Sequence, residues 1–99
     1  MARISYASQA LADLERTSEF AIASRWDALA ALDLVDEAVA ILARHPFIGR
    51  QVEGGLRELV ISGGETGYAA LYSFEGEYDA ILVLAIRHQR EAGWNVPLI

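Results

Sequence analysis

The chain has 99 residues, contains neither cysteine nor lysine, and carries a formal net charge of −6 at pH 7. Its length predicts one domain over residues 1–99, and the lack of cysteine excludes disulfides and thiolate metal sites from this sequence. The acidic balance disfavours direct binding of bulk nucleic acid. The absence of a signal peptide, and of any apolar run near the roughly 20 residues that span a bilayer, predicts a cytoplasmic protein with no membrane contact.

The first half of the chain predicts one short strand followed by two helices. Residues 2–7 alternate small and apolar side chains around Tyr6, which is typical of a strand. Ser8 can cap a helix whose apolar residues recur at helical spacing, and Asp27 can cap a second one. Because the break between them is short, we predict an antiparallel helical hairpin. One long helix running through Trp26 is the alternative.

The second half predicts three strands after a helix-ending loop. Pro46 disfavours helical geometry in the residue before it, and Gly49 permits a sharp bend. Runs of strand-forming residues then follow at 56–62, 67–74 and 78–88. Short turns between them imply antiparallel hairpins, and the unbroken apolar run AILVLAI predicts a central strand covered on both faces. The predicted fold is α+β, in the order β-α-α-β-β-β, with a helical hairpin packed on a small antiparallel sheet.

Four short motifs occur in order along the chain: HPFIGR after the second helix, GLRELVI entering the sheet, GYAALYSF in the middle strand and LVLAIRHQRE at the end. Together they resemble the RelE/ParE superfamily, the toxin halves of bacterial type II toxin–antitoxin pairs, and more closely its ParE-like branch. The resemblance extends from Arg3 to Trp94. It implies the helical-hairpin-on-sheet fold, a cognate antitoxin as partner, a role in plasmid stabilisation, and no metal or cofactor.

Members of this superfamily are either ribosome-dependent messenger-RNA endonucleases or inhibitors of DNA gyrase. Cutting RNA through its own 2′-hydroxyl needs a base, an acid and cations at the scissile phosphate. The resemblance gives Arg57, Arg87 and His88 as the candidates, and a structural role at the end of the last strand is the alternative for His88. The lysines of the family's ribonucleases are absent, and Ala69 stands where relatives carry an arginine. The ribonuclease is therefore the second hypothesis.

The gyrase-binding branch acts through a protein-binding surface, especially in its C-terminal part, and needs no catalytic residue. Arg87, Arg90 and Trp94 are the candidate target-binding residues, because arginine and tryptophan are enriched where interface energy concentrates. The alternative is that the two arginines pair with nearby acids and that Trp94 covers the apolar core. The sequence favours a gyrase-binding toxin, and an attenuated fold that only binds antitoxin is the third hypothesis.

The antitoxins of this family thread a partly disordered segment over the toxin and fold as they bind. In this chain the resemblance places that contact on the exposed side of residues 9–44 and the sheet side of residues 56–74. The candidate antitoxin-binding residues are Trp26, Arg57, Tyr68 and Tyr72. For the two tyrosines a place in the core is the alternative. The net charge of −6 predicts an apolar or basic antitoxin segment, since like charges oppose association.

Overall fold

The computed structural model describes residues 1–23, 28–61 and 67–88. The helices and strands within these ranges are β1 (Arg3–Tyr6), α1 (Ser8–Ala23), α2 (Ala28–Ile41), β2 (Arg50–Gln51), β3 (Arg57–Ile61), β4 (Tyr68–Glu75) and β5 (Ala80–His88). α1 and α2 pack against each other, as the predicted hairpin requires and a single continuous helix would not allow. None of the helices in the described residues has both the length and the apolar character needed to cross a membrane.

The strands form one sheet in the order β1-β5-β4-β3-β2. The consecutive strands β2 to β5 pair in antiparallel fashion, as their short connections predict. The prediction of a wholly antiparallel sheet is wrong for β1, which pairs with β5 in parallel. Short turns decide only how consecutive strands pair, whereas β1 is separated from the other strands by both helices. The two-residue strand β2 was not predicted, because two residues are too few for a periodic signal.

The strand β5 lies between β1 and β4, which confirms its predicted central place. The lack of alternation between apolar and polar residues in β5, however, also reflects a β-bulge in this strand. Leu71 pairs with Ala85 and Tyr72 pairs with Val83, so Leu84 is an extra residue. The extra residue shifts the alternation by one position. Odd-numbered side chains of β5 therefore face the helices before the bulge, and even-numbered side chains face them after it.

The main core lies between the helices and one face of the sheet, and Val35 and Val39 of α2 contribute to it together with Leu42, which follows α2. On the outer face of the sheet Leu71 is also fully buried, whereas Leu82 is 38 % exposed. The prediction that β5 is covered on both faces is therefore confirmed for only part of the strand. Burial on the outer face is greatest near the middle of β4.

A buried carboxylate fixes α1 to β5. Asp13 is only 2 % exposed, and its Oδ2 accepts a hydrogen bond from the backbone N–H of Ile86 at 2.8 Å. Its Oδ1 accepts from Arg16 at 2.8 Å and from Gln9 at 2.9 Å, while Arg16 also donates to the Ile86 carbonyl at 3.2 Å. The β1 ladder ends at Val83. Beyond that point, side chains of α1 therefore provide the hydrogen bonds to Ile86 that another strand would otherwise provide.

Candidate functional site

The loop of residues 45–49, which we call the HPFIG loop, is held to the sheet by a buried tyrosine. The Tyr72 hydroxyl donates to the carbonyl of Pro46 at 2.8 Å and accepts from the N–H of Gly49 at 2.9 Å. A Cβ added at Gly49 would lie 2.7 Å from both Cε1 and Oη of Tyr72, and 2.9 Å from the carbonyl oxygen of Glu58. Glycine is required here by the close approach of the loop to the sheet.

Arg57 binds the same loop from the neighbouring strand. Its Cα is the cross-strand partner of Tyr72, and its Nη1 donates to the carbonyl of Gly49 at 2.7 Å and to that of Phe47 at 3.2 Å. The guanidinium carbon also lies 5.0 Å from the centroid of the Phe47 ring, within cation–π range. Arg57 and Tyr72 together fix the backbone of the HPFIG loop at three residues.

Apolar side chains of this fixed loop are nevertheless exposed. Phe47 is 64 % exposed and Ile48 is 55 % exposed. The Phe47 ring packs edge-on against Phe74, with centroids 5.2 Å apart. Phe47 lines two open clefts, of about 440 Å³ and 490 Å³; the first is also lined by Arg57 and Phe74, and the second by the rest of residues 44–48. The loop therefore presents exposed apolar side chains on a fixed backbone beside two clefts.

Burial raises the pKa of Tyr72 above its ordinary value, and the Gly49 N–H bond and the Arg57 charge only partly oppose that rise. The neutral phenol is thus favoured in the folded chain. A raised pKa stabilises the fold fully below the unfolded value of about 10 and loses that contribution as the pH rises further. Burial also raises the pKa of Tyr6 and Tyr68, so alkaline pH is expected to destabilise the fold through all three phenols.

We expect Tyr72→Phe to lower the free energy of unfolding by about 1–2 kcal/mol at pH 8, because two hydrogen bonds to the loop are lost. The deficit should shrink above about pH 10, since the variant has no phenol to ionise at this position. Urea unfolding followed by circular dichroism from pH 8 to pH 11 measures both effects. Tyr78→Phe, at a residue that is 67 % exposed, is the control and should match the parent. Parallel pH profiles for the parent and Tyr72→Phe would contradict the prediction.

The three residues predicted for ribonuclease chemistry do not converge. Arg57 pairs with Tyr72 and His88 pairs with Tyr68, four positions apart on β4, which corresponds to about 13 Å along the strand. Arg87 is adjacent to His88 in β5, so its side chain points to the opposite face of the sheet. The candidate cations and the candidate acid or base therefore occupy two ends and two faces of the sheet.

His88 belongs to the core rather than to a surface. It is 2 % exposed, and its ring packs edge-on against Tyr68, which is 3 % exposed, at a centroid distance of 5.2 Å. This geometry favours the structural interpretation of His88. Tyr68 and Tyr72 lie on the helix-facing side of β4 within the core. Their predicted antitoxin-binding role stays a prediction. Tyr72 is buried, and its hydroxyl contacts the exposed HPFIG loop through Pro46 and Gly49.

The predicted target-binding set is only partly visible. Arg90 and Trp94 of that set lie outside the described residues, as does Trp26, which is predicted to bind the antitoxin. Arg87 is half-buried on the outer face of the sheet, where its Cα is the cross-strand partner of Ala69. No group of three or more histidine, aspartate or glutamate side chains that could hold a metal ion occurs within residues 1–23, 28–61 and 67–88.

Two features of the site were not predicted from the sequence. In the sequence the HPFIG motif indicates the end of a helix. Phe47 and Ile48, however, stand between a proline and a glycine and belong to no helical or strand repeat, which is the available signal for apolar side chains in a loop. Asp13 was not singled out either. It lies on the same helix stripe as Ala10 and Leu14, and a carboxylate on an apolar stripe indicates a buried hydrogen-bonding role.

Comparison with known proteins places the chain in a family. The family model described as the ParE toxin of the type II toxin–antitoxin system parDE matches residues 4–93. The chain belongs to the ParE toxin family. The HPFIG loop, the Asp13 contacts and all the described strands after β1 thus lie within the ParE-family region.

Similar proteins include Toxin RelE3 of Caulobacter vibrioides, which is 36 % identical over 61 residues. That match spans 62 % of this chain and 64 % of the relative, so it leaves over a third of the relative uncovered. The ParE-family fold is shared with the chromosomal ParDE system of P. aeruginosa (22 % identity, TM-score 0.71, 89 % and 96 % of the two chains). It is also shared with the toxin–antitoxin complex RelBE2 of Mycobacterium tuberculosis (20 % identity, TM-score 0.62, 89 % and 98 %).

Proposed function

We propose that this ParE-family chain is the toxin of a type II toxin–antitoxin pair, that it acts by binding DNA gyrase, and that a cognate antitoxin neutralises it. Family membership supports the toxin and the antitoxin partner, and the solved relatives are a toxin–antitoxin complex and a ParDE system. The observation that carries the choice of gyrase over messenger RNA is the separation of Arg57, Arg87 and His88 in the sheet.

RNA cleavage requires the acid, the base and the stabilising cations to act on one phosphate, each within hydrogen-bonding reach of its atom. Arg57 and His88 are separated by about 13 Å of backbone along the sheet, and the Arg57 guanidinium donates to the carbonyls of Phe47 and Gly49 in the HPFIG loop. His88 is also buried against Tyr68. Protein binding imposes no such convergence, because interface residues can be spread over about 800 Å² of surface.

The proposed gyrase-binding surface is the end of β5 with the residues that follow it. Arg87 emerges there on the outer face of the sheet, in the same cross-strand row as Ala69 and the 56 % exposed Val60. Arg90 and Trp94 complete the proposed target-binding set. An arginine beside exposed apolar surface is a composition typical of interface centres. The acidic net charge does not oppose this function, because no phosphate has to be bound directly.

The test is growth after induced expression of the chain alone in a bacterium, with parallel assays of DNA supercoiling and of messenger cleavage at the ribosome. We expect growth arrest, altered supercoiling and intact messenger RNA. Arrest with cleaved messenger would overturn the proposal in favour of the ribonuclease. Normal growth with folded protein that still binds antitoxin would identify an attenuated toxin.

Arg87→Ala provides the residue-level test. We expect it to weaken inhibition of purified gyrase at least tenfold while antitoxin binding persists, because arginine is enriched among the interface residues whose truncation costs about 2 kcal/mol or more. Arg3→Ala, at an exposed position on β1, is the matched control and should inhibit as the parent does. Equal inhibition by Arg87→Ala and Arg3→Ala would remove Arg87 from the proposed surface.

A further inference from the structure

An exposed apolar strip runs along the end of α2 and the HPFIG loop. Its side chains are Ile41, Phe47 and Ile48, which are 48 %, 64 % and 55 % exposed. Two open clefts lie along the strip, one of about 430 Å³ reaching Ile41 and one of about 490 Å³ reaching the loop, and Arg44 lines both. We call these four residues the Arg44 strip. Contiguous apolar surface of this kind on a small domain marks an interaction site.

The loop half of the Arg44 strip is held rigidly. The backbone at residues 46–49 is bonded to Tyr72 and Arg57, and the Phe47 ring is held between Arg57 and Phe74. Exposed apolar side chains on a fixed backbone bind with a small loss of conformational entropy, which is the advantage of a preorganised interface. The strip therefore has the properties of an anchor rather than those of a flexible loop tip.

The charge of this region differs from that of the whole chain. Residues 38–52 contain no acidic residue, although the chain has 14 of them. The same stretch contains Arg44, His45 and Arg50. Arg50 is paired with Glu58 at 2.9 Å, whereas no acid lies within ion-pair distance of the exposed Arg44 in the described part of the chain. The local charge is thus positive, and the acids of α2 that are exposed lie earlier in the helix, at Asp33, Asp36 and Glu37.

We propose that the Arg44 strip docks an acidic amphipathic segment of the antitoxin, with Phe47 and Ile48 contacting its apolar side chains and Arg44 pairing with a carboxylate. This inference rests on the proposed function for the existence of the antitoxin. It differs from the expectation of an apolar or basic antitoxin segment, which treated the net charge of −6 as evenly spread over the chain. The occupant is protein rather than RNA, because the strip presents three exposed apolar side chains and only one cation.

The test measures binding of the full-length antitoxin, co-expressed with this chain from the natural gene pair and then separated, by calorimetry. We expect Arg44→Glu and Ile48→Ser each to weaken binding at least tenfold, and the parent affinity to fall with rising salt. Both side chains are exposed, so folding should be retained, and circular dichroism verifies this for each variant. Arg3→Glu and Tyr78→Ser are the matched controls at exposed positions that are not members of the strip, and they should bind as the parent does.

A photo-crosslinking amino acid at position 48 identifies what docks on the strip. We expect crosslinks to an antitoxin segment that contains aspartate or glutamate. Parent-like affinity of Arg44→Glu and Ile48→Ser, or crosslinks confined to a basic segment, would overturn this inference while leaving the proposed function intact. Failure of the parent to bind the antitoxin would overturn both. Retained antitoxin binding with loss of messenger RNA binding in Arg44→Glu would assign the strip to nucleic acid instead.

Discussion

Asp13→Ala is expected to lower the free energy of unfolding by about 3 kcal/mol, the largest effect of any single substitution considered for this chain. The change removes the acceptor of three hydrogen bonds, donated by Gln9, Arg16 and the backbone of Ile86. The Ile86 N–H is buried and loses its acceptor, so its desolvation is no longer compensated. The expected loss lies at the lower end of the roughly 3–5 kcal/mol that a broken buried ion pair costs, because the Arg16 side chain is 37 % exposed and solvent screens its charge.

Urea unfolding of Asp13→Ala measures the change, and Asp33→Ala is the matched control at an exposed helical position. The control should lie within about 0.5 kcal/mol of the parent. Asp13→Asn should fall between them, because the amide retains one acceptor oxygen but turns an N–H₂ group towards groups that also donate. Hydrogen exchange adds a local test, since the Ile86 amide should lose protection in Asp13→Ala. Equal stability of Asp13→Ala and Asp33→Ala would show that the buried carboxylate contributes nothing net.

Gly49→Ala is expected to lower the free energy of unfolding by about 2–3 kcal/mol, as is typical of overpacking. The new methyl group would lie 2.7 Å from the ring and hydroxyl of Tyr72 and 2.9 Å from a backbone oxygen of β3. The tyrosine is fully buried and cannot swing away, so the HPFIG loop must move. That movement lengthens the two hydrogen bonds to the Tyr72 hydroxyl and displaces Phe47, which follows Pro46 in the same loop.

Gly76→Ala is the matched control for Gly49→Ala, because a Cβ at Gly76 would meet a Phe74 ring carbon at 3.8 Å, an ordinary van der Waals distance. We expect the control to stay within about 0.5 kcal/mol of the parent in thermal and urea unfolding. Combining Gly49→Ala with Tyr72→Phe should recover only part of the loss, since the clash with Cε1 remains after the hydroxyl is removed. A Gly49→Ala protein as stable as Gly76→Ala would show that the loop adapts without strain.

These two sites connect the fold to its surfaces. Asp13 fixes β5 just before Arg87, the described member of the proposed gyrase-binding set. Gly49 and Tyr72 fix the loop that carries Phe47, a member of the proposed antitoxin-binding strip. In both places a buried polar contact holds a segment whose side chains are proposed to bind a partner, so loss of the contact should disturb binding as well as stability.

Much of the fold could be predicted from the residues. Ser8 begins α1, Pro46 follows the end of α2, and the three long strands occur where β-forming residues lie between glycine-containing turns. Each of these signals acts between residues close in sequence, through helix caps, restricted backbone angles and short turns. The motif order also led to the correct family, because local features of this kind recur together along the whole chain.

The rest depends on contacts between residues distant in sequence. The parallel pairing of β1 with β5, the bulge at Leu84 and the bond from Asp13 to Ile86 all join segments that no local signal relates. For the same reason Arg57 and His88 looked like partners in the sequence but lie about 13 Å apart along the sheet. Residue types and spacing identify Arg57, Arg87 and His88 as candidate site residues. Strand register, side-chain alternation and packing decide where in the sheet each of them lies, and these depend on the tertiary structure.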